Sequence, residues 1–315
     1  MRAPAAVLLA LTLTFPAVAA PRPAAFVVVS QAAGVVTGRD GEGAETARLA
    51  LDKAPAAVVV DAARRRAYVS EPEVGAVAVV DLDGFARAGT LAVGGQPFGL
   101  AVRPAGRLLV TDWSADTLTE VDPAGGAART VAVGQAPSAV VVGPDDRFAY
   151  TVDREADQVS VVDLSDFSVV ATVDVGRAPF AAALAPGGRR LYVANVQSSD
   201  LSVIDLAFRR EIARIPIGGM PYGVAISPDG GRIAVTDQEG GRLVLIDARS
   251  LAPAGAATVG DYAEGVVALP AVGAFAVANW FSDTVSLVGF DGRSVSHVPV
   301  PKGPRMLAAL PAVEE

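Results

Sequence analysis

Hydrophobic and polar positions alternate in short phrases along most of the chain. In Val159-Ser160-Val161-Val162, the first and third residues face one way and the second and fourth the other. That period of two is the mark of a β-strand. The phrases also recur. A turn followed by a strand appears as APAAVVV from Ala54, QPFGLAV from Gln96, APSAVVV from Ala136, APFAAAL from Ala178 and MPYGVAI from Met220. Its prolines, Pro55, Pro97, Pro137, Pro179 and Pro221, lie 40 to 42 residues apart. The series continues with Ala263 in place of the proline and ends at Pro304.

A second phrase follows each first one: RAYVSE, RLLVTD, RFAYTVD, RLYVAN, RIAVTD and AFAVAN. A third ends on Asp81, Asp122, Asp163, Asp205 or Asp247, and a fourth closes in Val-Gly, as in ATVDVG. Four strands in a repeat of roughly 40–45 residues make one blade of a β-propeller. Six units run from Pro55 to Pro304. Residues 26–53 carry three strands without an innermost one, and 305–310 carry an innermost strand alone. Joined, these ends make a seventh blade. The pattern therefore predicts an all-β, seven-bladed propeller of four-stranded blades, closed by pairing of its N- and C-terminal strands.

The first residues change the picture of where the protein works. Arg2, an apolar run from Ala5 to Phe15 and the small-x-small sequence Ala17-Val18-Ala19 read as a signal peptide over 1–19. Pro16 breaks the run, which is short for a membrane anchor. We expect one propeller domain over 20–315, exported to the periplasm or secreted, monomeric, and with no membrane span after cleavage. Composition narrows the chemistry. Lys and Arg total 26 against 34 Asp and Glu, a net charge of −8, which argues against a general nucleic-acid binder. With no Cys there is no disulfide, thiolate metal site or Cys nucleophile. One histidine, His297, rules out a multi-histidine zinc site. Aligned with Thr172, it falls in an outermost strand, far from the channel.

SPDGGRIAVTD (227–237), GGRRLYVANVQSSDLSVID (187–205), DRFAYTVDREADQVSVVD (146–163) and NWFSDTVSLV (279–288) resemble the YVTN-type (YncE-like) repeats of exported bacterial and archaeal propellers. The resemblance spans the chain beyond the leader. It implies a secreted or periplasmic module, usually without an assigned reaction. Wider relatives include quinoprotein amine dehydrogenase subunits and lactone-opening enzymes. Fold does not fix function, which has to be argued from a site.

Two rings of residues are candidates for that site. The residue after each repeat proline is placed at the channel mouth: Ala56, Phe98, Ser138, Phe180, Tyr222, Glu264 and Arg305. Its side chains range from methyl to phenol to guanidinium, where a purely structural position would vary little. Six of them, Phe98, Ser138, Phe180, Tyr222, Glu264 and Arg305, are the candidate ligand-binding set. The competing reading has the aromatics plugging the channel and Glu264–Arg305 closing a blade. The second ring follows the second strand: Gln31, Glu71, Asp112, Asp153, Asn195, Asp237 and Asn279. Its carboxylates could suggest a cation, but an acceptor in every blade fits turn chemistry better. Trp113 and Trp280, one residue further on, are candidate interface anchors, with cover of the groove between blades as the favoured alternative.

No Ser–His pair can be assembled, and the glycine-rich turns precede no helix that could cradle phosphate. The expectation is a non-enzymatic propeller with no cofactor and no metal, binding a partner protein or small ligand through its upper face. An accessory subunit of a redox enzyme, or a lactonase-like hydrolase, is the alternative.

Overall fold

The computed structural model describes residues 24–125 and 128–310, so the leader expected over 1–19 lies outside the described residues. Seven four-stranded antiparallel sheets are present, as the repeats predict. In six of them the chain runs from the innermost strand outward. The innermost strands are Val58–Asp61, Pro97–Val102, Pro137–Val142, Pro179–Leu184, Pro221–Ile226 and Ala263–Leu269, which we number as blades two to seven. The repeat proline opens the strand in blades three to six. In blade two the strand starts later, at Val58, three residues past Pro55.

Blade one is assembled from both ends of the described chain. Pro304–Ala309 is its innermost strand and Phe26–Ser30, Val35–Arg39 and Glu45–Ala50 follow outward. Phe26 pairs with Ala309 and Val28 with Leu307, with a register shift between Val29 and Ser30. Among the described residues no helix is long and apolar enough to cross a membrane.

Strand periodicity explains why the blades stack. A strand buried on both faces sends alternate side chains to opposite neighbours. Phe26 and Val28 pack with Leu269, Ala276 and Val285 of blade seven, while Val27 and Val29 pack with Ala67, Val69 and Ala78 of blade two. Val159 and Val161 likewise meet Leu191 and Val193 of blade five, and Val162 meets Leu109 and Leu118 of blade three. The core is thus a ring of interfaces between facing sheets, not a single central mass. Outermost strands alternate between exposed and half-buried positions, as in Ala86–Ala92.

The seam between blades one and seven has its own polar link. Buried Arg39 donates to the Gly43 and Pro299 carbonyls, each at 3.3 Å, and to Glu45 at 2.9 Å. Hydroxyls tie innermost strands together near the channel. Thr236 donates to the Glu264 carbonyl at 2.7 Å, and Ser138 to that of Phe180 at 2.8 Å. Neighbouring innermost strands approach so closely that a Cβ on Gly223 would sit 2.5 Å from the Glu264 carbonyl oxygen.

Removing residues 304–315 deletes the innermost strand of blade one and leaves Phe26–Ser30 as a bare edge. The truncated chain is expected to aggregate and to lose a cooperative melt, as followed by size-exclusion chromatography and thermal denaturation. A soluble truncation as stable as the full chain would contradict this closure.

Candidate functional site

The predicted mouth ring forms, but its members do different work. Ala56 is buried. Ser138 is turned into the wall, its hydroxyl bonded to the Phe180 carbonyl, so the structure does not present it to a ligand. The others converge. Phe98 from blade three meets Phe180 from blade five edge-on, with ring centroids 5.8 Å apart, and Phe180 lies 4.0 Å from Tyr222 of blade six. Phe180 and Tyr222 are buried and fill the channel, while Phe98 stays half-buried above them.

Trp113 does not cover a groove between blades, the favoured sequence reading. It lines the mouth, 5.2 Å from Phe98 and 6.5 Å from Phe180. Trp280 faces the same opening, 6.0 Å from the Arg305 guanidinium.

Arg305 reaches across the mouth. Its Nη1 donates to Gln31 Oε1 and its Nη2 to the Tyr222 hydroxyl, both at 2.9 Å, and its guanidinium carbon lies 5.3 Å from the Phe98 ring centre. Glu264 sits behind it, 4% exposed, with Oε1 accepting from Gln238 Nε2 at 3.1 Å. Glu264 Oε2 is 3.7 Å from Arg305 Nε, and both atoms are buried without a hydrogen-bond partner. The expected pairing between neighbouring blades is therefore present as a long ion pair. Burial pushes the Glu264 carboxyl up to about 7, against the opposing pull of Arg305 and the Gln238 hydrogen bond. Burial likewise raises the Tyr222 phenol, which stays protonated.

Two adjoining depressions open here. One, of about 320 Å3, is bounded by Gln31, Phe98, Trp113, Phe180 and Arg305. The other, of about 590 Å3, continues past Tyr222 and Glu264 to Tyr262, Trp280 and Phe281. Phe281, 68% exposed, packs on Tyr262 at the rim.

The four carboxylates of the second ring serve the backbone, whereas Asn195 and Asn279 donate to side chains of their own blades and Gln31 accepts from Arg305. Asp237 Oδ1 accepts from the Met220 and Gly240 amides, Asp112 Oδ1 from Gln96 and Ala115, and Glu71 Oε1 from Asp52. Each carboxylate pins the loop that enters its blade as well as, in two cases, its own turn. The contact is tight: Gly219, at φ 55°, would place a Cβ 1.9 Å from Asp237 Oδ1. Among the described residues no cluster of acidic or histidine side chains is arranged to hold a metal ion. Asp81, Asp163, Asp205 and Asp247 cap turns at the other face, as Asp81 does for Gly84 at 2.8 Å. His297 is exposed on the outermost strand of blade seven, its Nδ1 2.8 Å from Ser286 Oγ.

A third ring escaped the sequence reading. The residue one past the second-ring acceptor lines the mouth in six blades: Pro72, Trp113, Arg154, Val196, Gln238 and Trp280. Its signal was available, since the two tryptophans share this repeat position.

Comparison with known proteins bears on this site. Residues 142–278, from the end of the first strand of blade four into blade seven, match the family model "Cytochrome D1 heme domain". No curated protein matches. Among solved structures, hydrazine synthase of Kuenenia stuttgartiensis is 21% identical with a TM-score of 0.72, covering 80% of this chain and 88% of its own. The dihydro-heme d1 dehydrogenase NirN, solved in complex with DHE, is 18% identical with a TM-score of 0.71, covering 91% and 76%. A putative 6-phosphogluconolactonase from Bacteroides fragilis is 14% identical with a TM-score of 0.77, covering 94% and 100%. At these identities the likeness is one of fold.

The raised Glu264 carboxyl has a stability consequence. Its ordinary value is 4.5, so the folded chain holds this proton more tightly than the unfolded one. The stabilisation is full below that value and is lost as pH rises through about 7. Glu264→Gln is expected to leave stability nearly unchanged at pH 4 and to raise it at pH 8 by up to about 3 kcal/mol. Denaturant titrations at the two pH values check this, and an equal effect at both would contradict the burial of an ionised carboxylate.

Proposed function

We propose that this protein is an exported, non-enzymatic propeller that binds a small ligand at its channel mouth. The carrying observation is the aromatic shelf of Phe98, Trp113 and Phe180 beside Arg305 and Gln31, bordering clefts of about 320 and 590 Å3. Small-molecule sites are concave, largely apolar and equipped with a few convergent polar groups, typically in about this size range. The size of the clefts favours a small molecule over a folded partner. Support for export comes from the leader pattern over 1–19 and the YVTN-type character of the repeats. Support for a binding role comes from the position of His297, away from the mouth, and from the hydrogen bonding that occupies the second-ring carboxylates.

The match to the heme-domain family makes heme the obvious group to test. Heme iron is held by His, Cys, Met or Tyr side chains. The chain has no Cys, and its single His is on an outer strand. The Tyr222 phenol is protonated, bonded to Arg305 and stacked on Phe180. Met220 offers a thioether on the rim, Met306 packs behind the same aromatics and Tyr262 lies against Phe281, so none of them is set with a His or Cys opposite it. Phe180 and Tyr222 are buried against each other at the base of the mouth. The residues do not fit heme, and we assign it no role.

A thermal-shift screen of small molecules tests the mouth. Compounds that raise the melting temperature of the native protein are expected to lose that effect on the double variant Phe180→Ala, Arg305→Ala, whose own melt stays cooperative at a lower temperature. An undiminished ligand response in the double variant would place binding elsewhere.

A further inference from the structure

We propose that the mouth ligand is a small flat carboxylate, its carboxyl group taken by Arg305 while Glu264 takes up a proton. The proposal rests on the reading of the mouth as the binding face.

The hydrogen bonding of Arg305 sets it apart. Several arginines that touch buried carboxylates hydrogen-bond them, as Arg242 does with Asp237 at 2.6 Å and Arg87 with Glu71 at 3.1 Å. Arg305 bonds only to neutral partners, an amide oxygen and a phenol, and its Nε has none. The nearest carboxylate oxygen, Glu264 Oε2, stands 3.7 Å off. A guanidinium so placed, lying against Phe98 and Trp280, is preorganised and carries a charge that no hydrogen-bonded carboxylate offsets, as a planar anion requires.

Of the two charged groups at the base of the mouth, the more exposed one sets the sign that a ligand meets there. The Arg305 side chain is 18% exposed and that of Glu264 6%, so an incoming molecule meets the guanidinium first. A second guanidinium, Arg154, lies 5.8 Å over the Trp113 ring on the same rim, ion-paired with Glu155, and the exposed Glu73 carboxylate stands at the edge of the smaller cleft. Phe98, Trp113 and Phe180 continue the surface beside Arg305 and suit a flat apolar body. The cleft they bound, about 320 Å3, takes a compact ring system.

Glu264 couples this binding to protons. The groups around it are Arg305 from blade one, Tyr222 from blade six, the neutral Gln238 amide, and Tyr262 beyond Tyr222. Asp237, next to Gln238, is turned to Arg242 and the Gly240 amide. Arg305 is thus the charge that helps ionise Glu264. A ligand carboxylate on Arg305 screens that charge and adds a negative one, so Glu264 binds a proton from solvent. Starting from about 7, uptake is largest just above neutrality and vanishes in acid, where Glu264 already holds its proton. Affinity for the carboxylate accordingly falls as pH rises through neutrality.

Isothermal titration with 2-naphthylacetate, 2-naphthylacetamide and 2-(2-naphthyl)ethylamine tests this, using the mature protein in buffers of different ionisation heat. The carboxylate is expected to bind about tenfold tighter than the amide or the amine, with net proton uptake near pH 7.5. Arg305→Gln should bring the carboxylate down to the level of the amide. Glu264→Gln should keep the preference but abolish proton uptake and flatten the pH dependence. Equal affinity for the three probes, or preference for the amine, with all three weakened by Phe180→Ala, would overturn the carboxylate claim and leave the mouth as the binding face. Proton uptake persisting in Glu264→Gln would overturn the role of that residue. Failure of all three to bind, or binding indifferent to Phe180→Ala, would overturn both readings.

Discussion

The ladder joining Phe26–Ser30 to Pro304–Ala309 is the constraint on which the rest depends. Each blade is a sheet too thin to bury its own side chains, so its faces are covered only by its neighbours. In an open row the two end blades would each leave one face wet. Closing the ring through a blade built from distant segments removes both ends at once. Phe26 and Val28 on one side of that blade, and Val27 and Val29 on the other, complete the two interfaces that would otherwise be missing.

Closure also creates the channel mouth and makes it asymmetric. Seven equivalent positions surround one axis, and what fills them need not repeat. Backbone needs are met by the residues that do repeat, the second-ring carboxylates that pin the incoming loop in four blades and the hydroxyls that link adjacent innermost strands. The positions left over carry Phe98, Phe180, Tyr222, Glu264 and Arg305, with Trp113, Gln238 and Trp280 one turn above. Arg305 from blade one touches Phe98 of blade three and Tyr222 of blade six. Such contacts span the axis, and no local stretch of chain encodes them.

Part of what surrounds the mouth was legible in the sequence. Variation at a repeated position singled out Glu264 and Arg305, and their adjacency on neighbouring blades followed from repeat order. Two residues were read for the wrong surroundings. Ser138 looked like a polar lining group, yet its hydroxyl completes the link that Thr236 makes in another blade, since the second strand of blade four has Val152 at the corresponding place. Trp113 looked like cover for a groove, because a large aromatic buries most of its area somewhere; its area goes against Phe98 and Phe180 at the mouth.

Sequence alone determined the repeat, the strand count, the seven blades and the pairing of the two ends, because alternation and turn chemistry are local and the period is copied along the chain. It also marked five residues that meet at the mouth, Phe98, Phe180, Tyr222, Glu264 and Arg305, but not the ring one residue past the second-ring acceptors. Tertiary structure decided which of them face an opening, which plug it, and how their charges are disposed. Burial of Glu264, the long gap to Arg305 and the neutral partners of that guanidinium arise from distances across the ring. Those distances are set only when seven blades close on one axis.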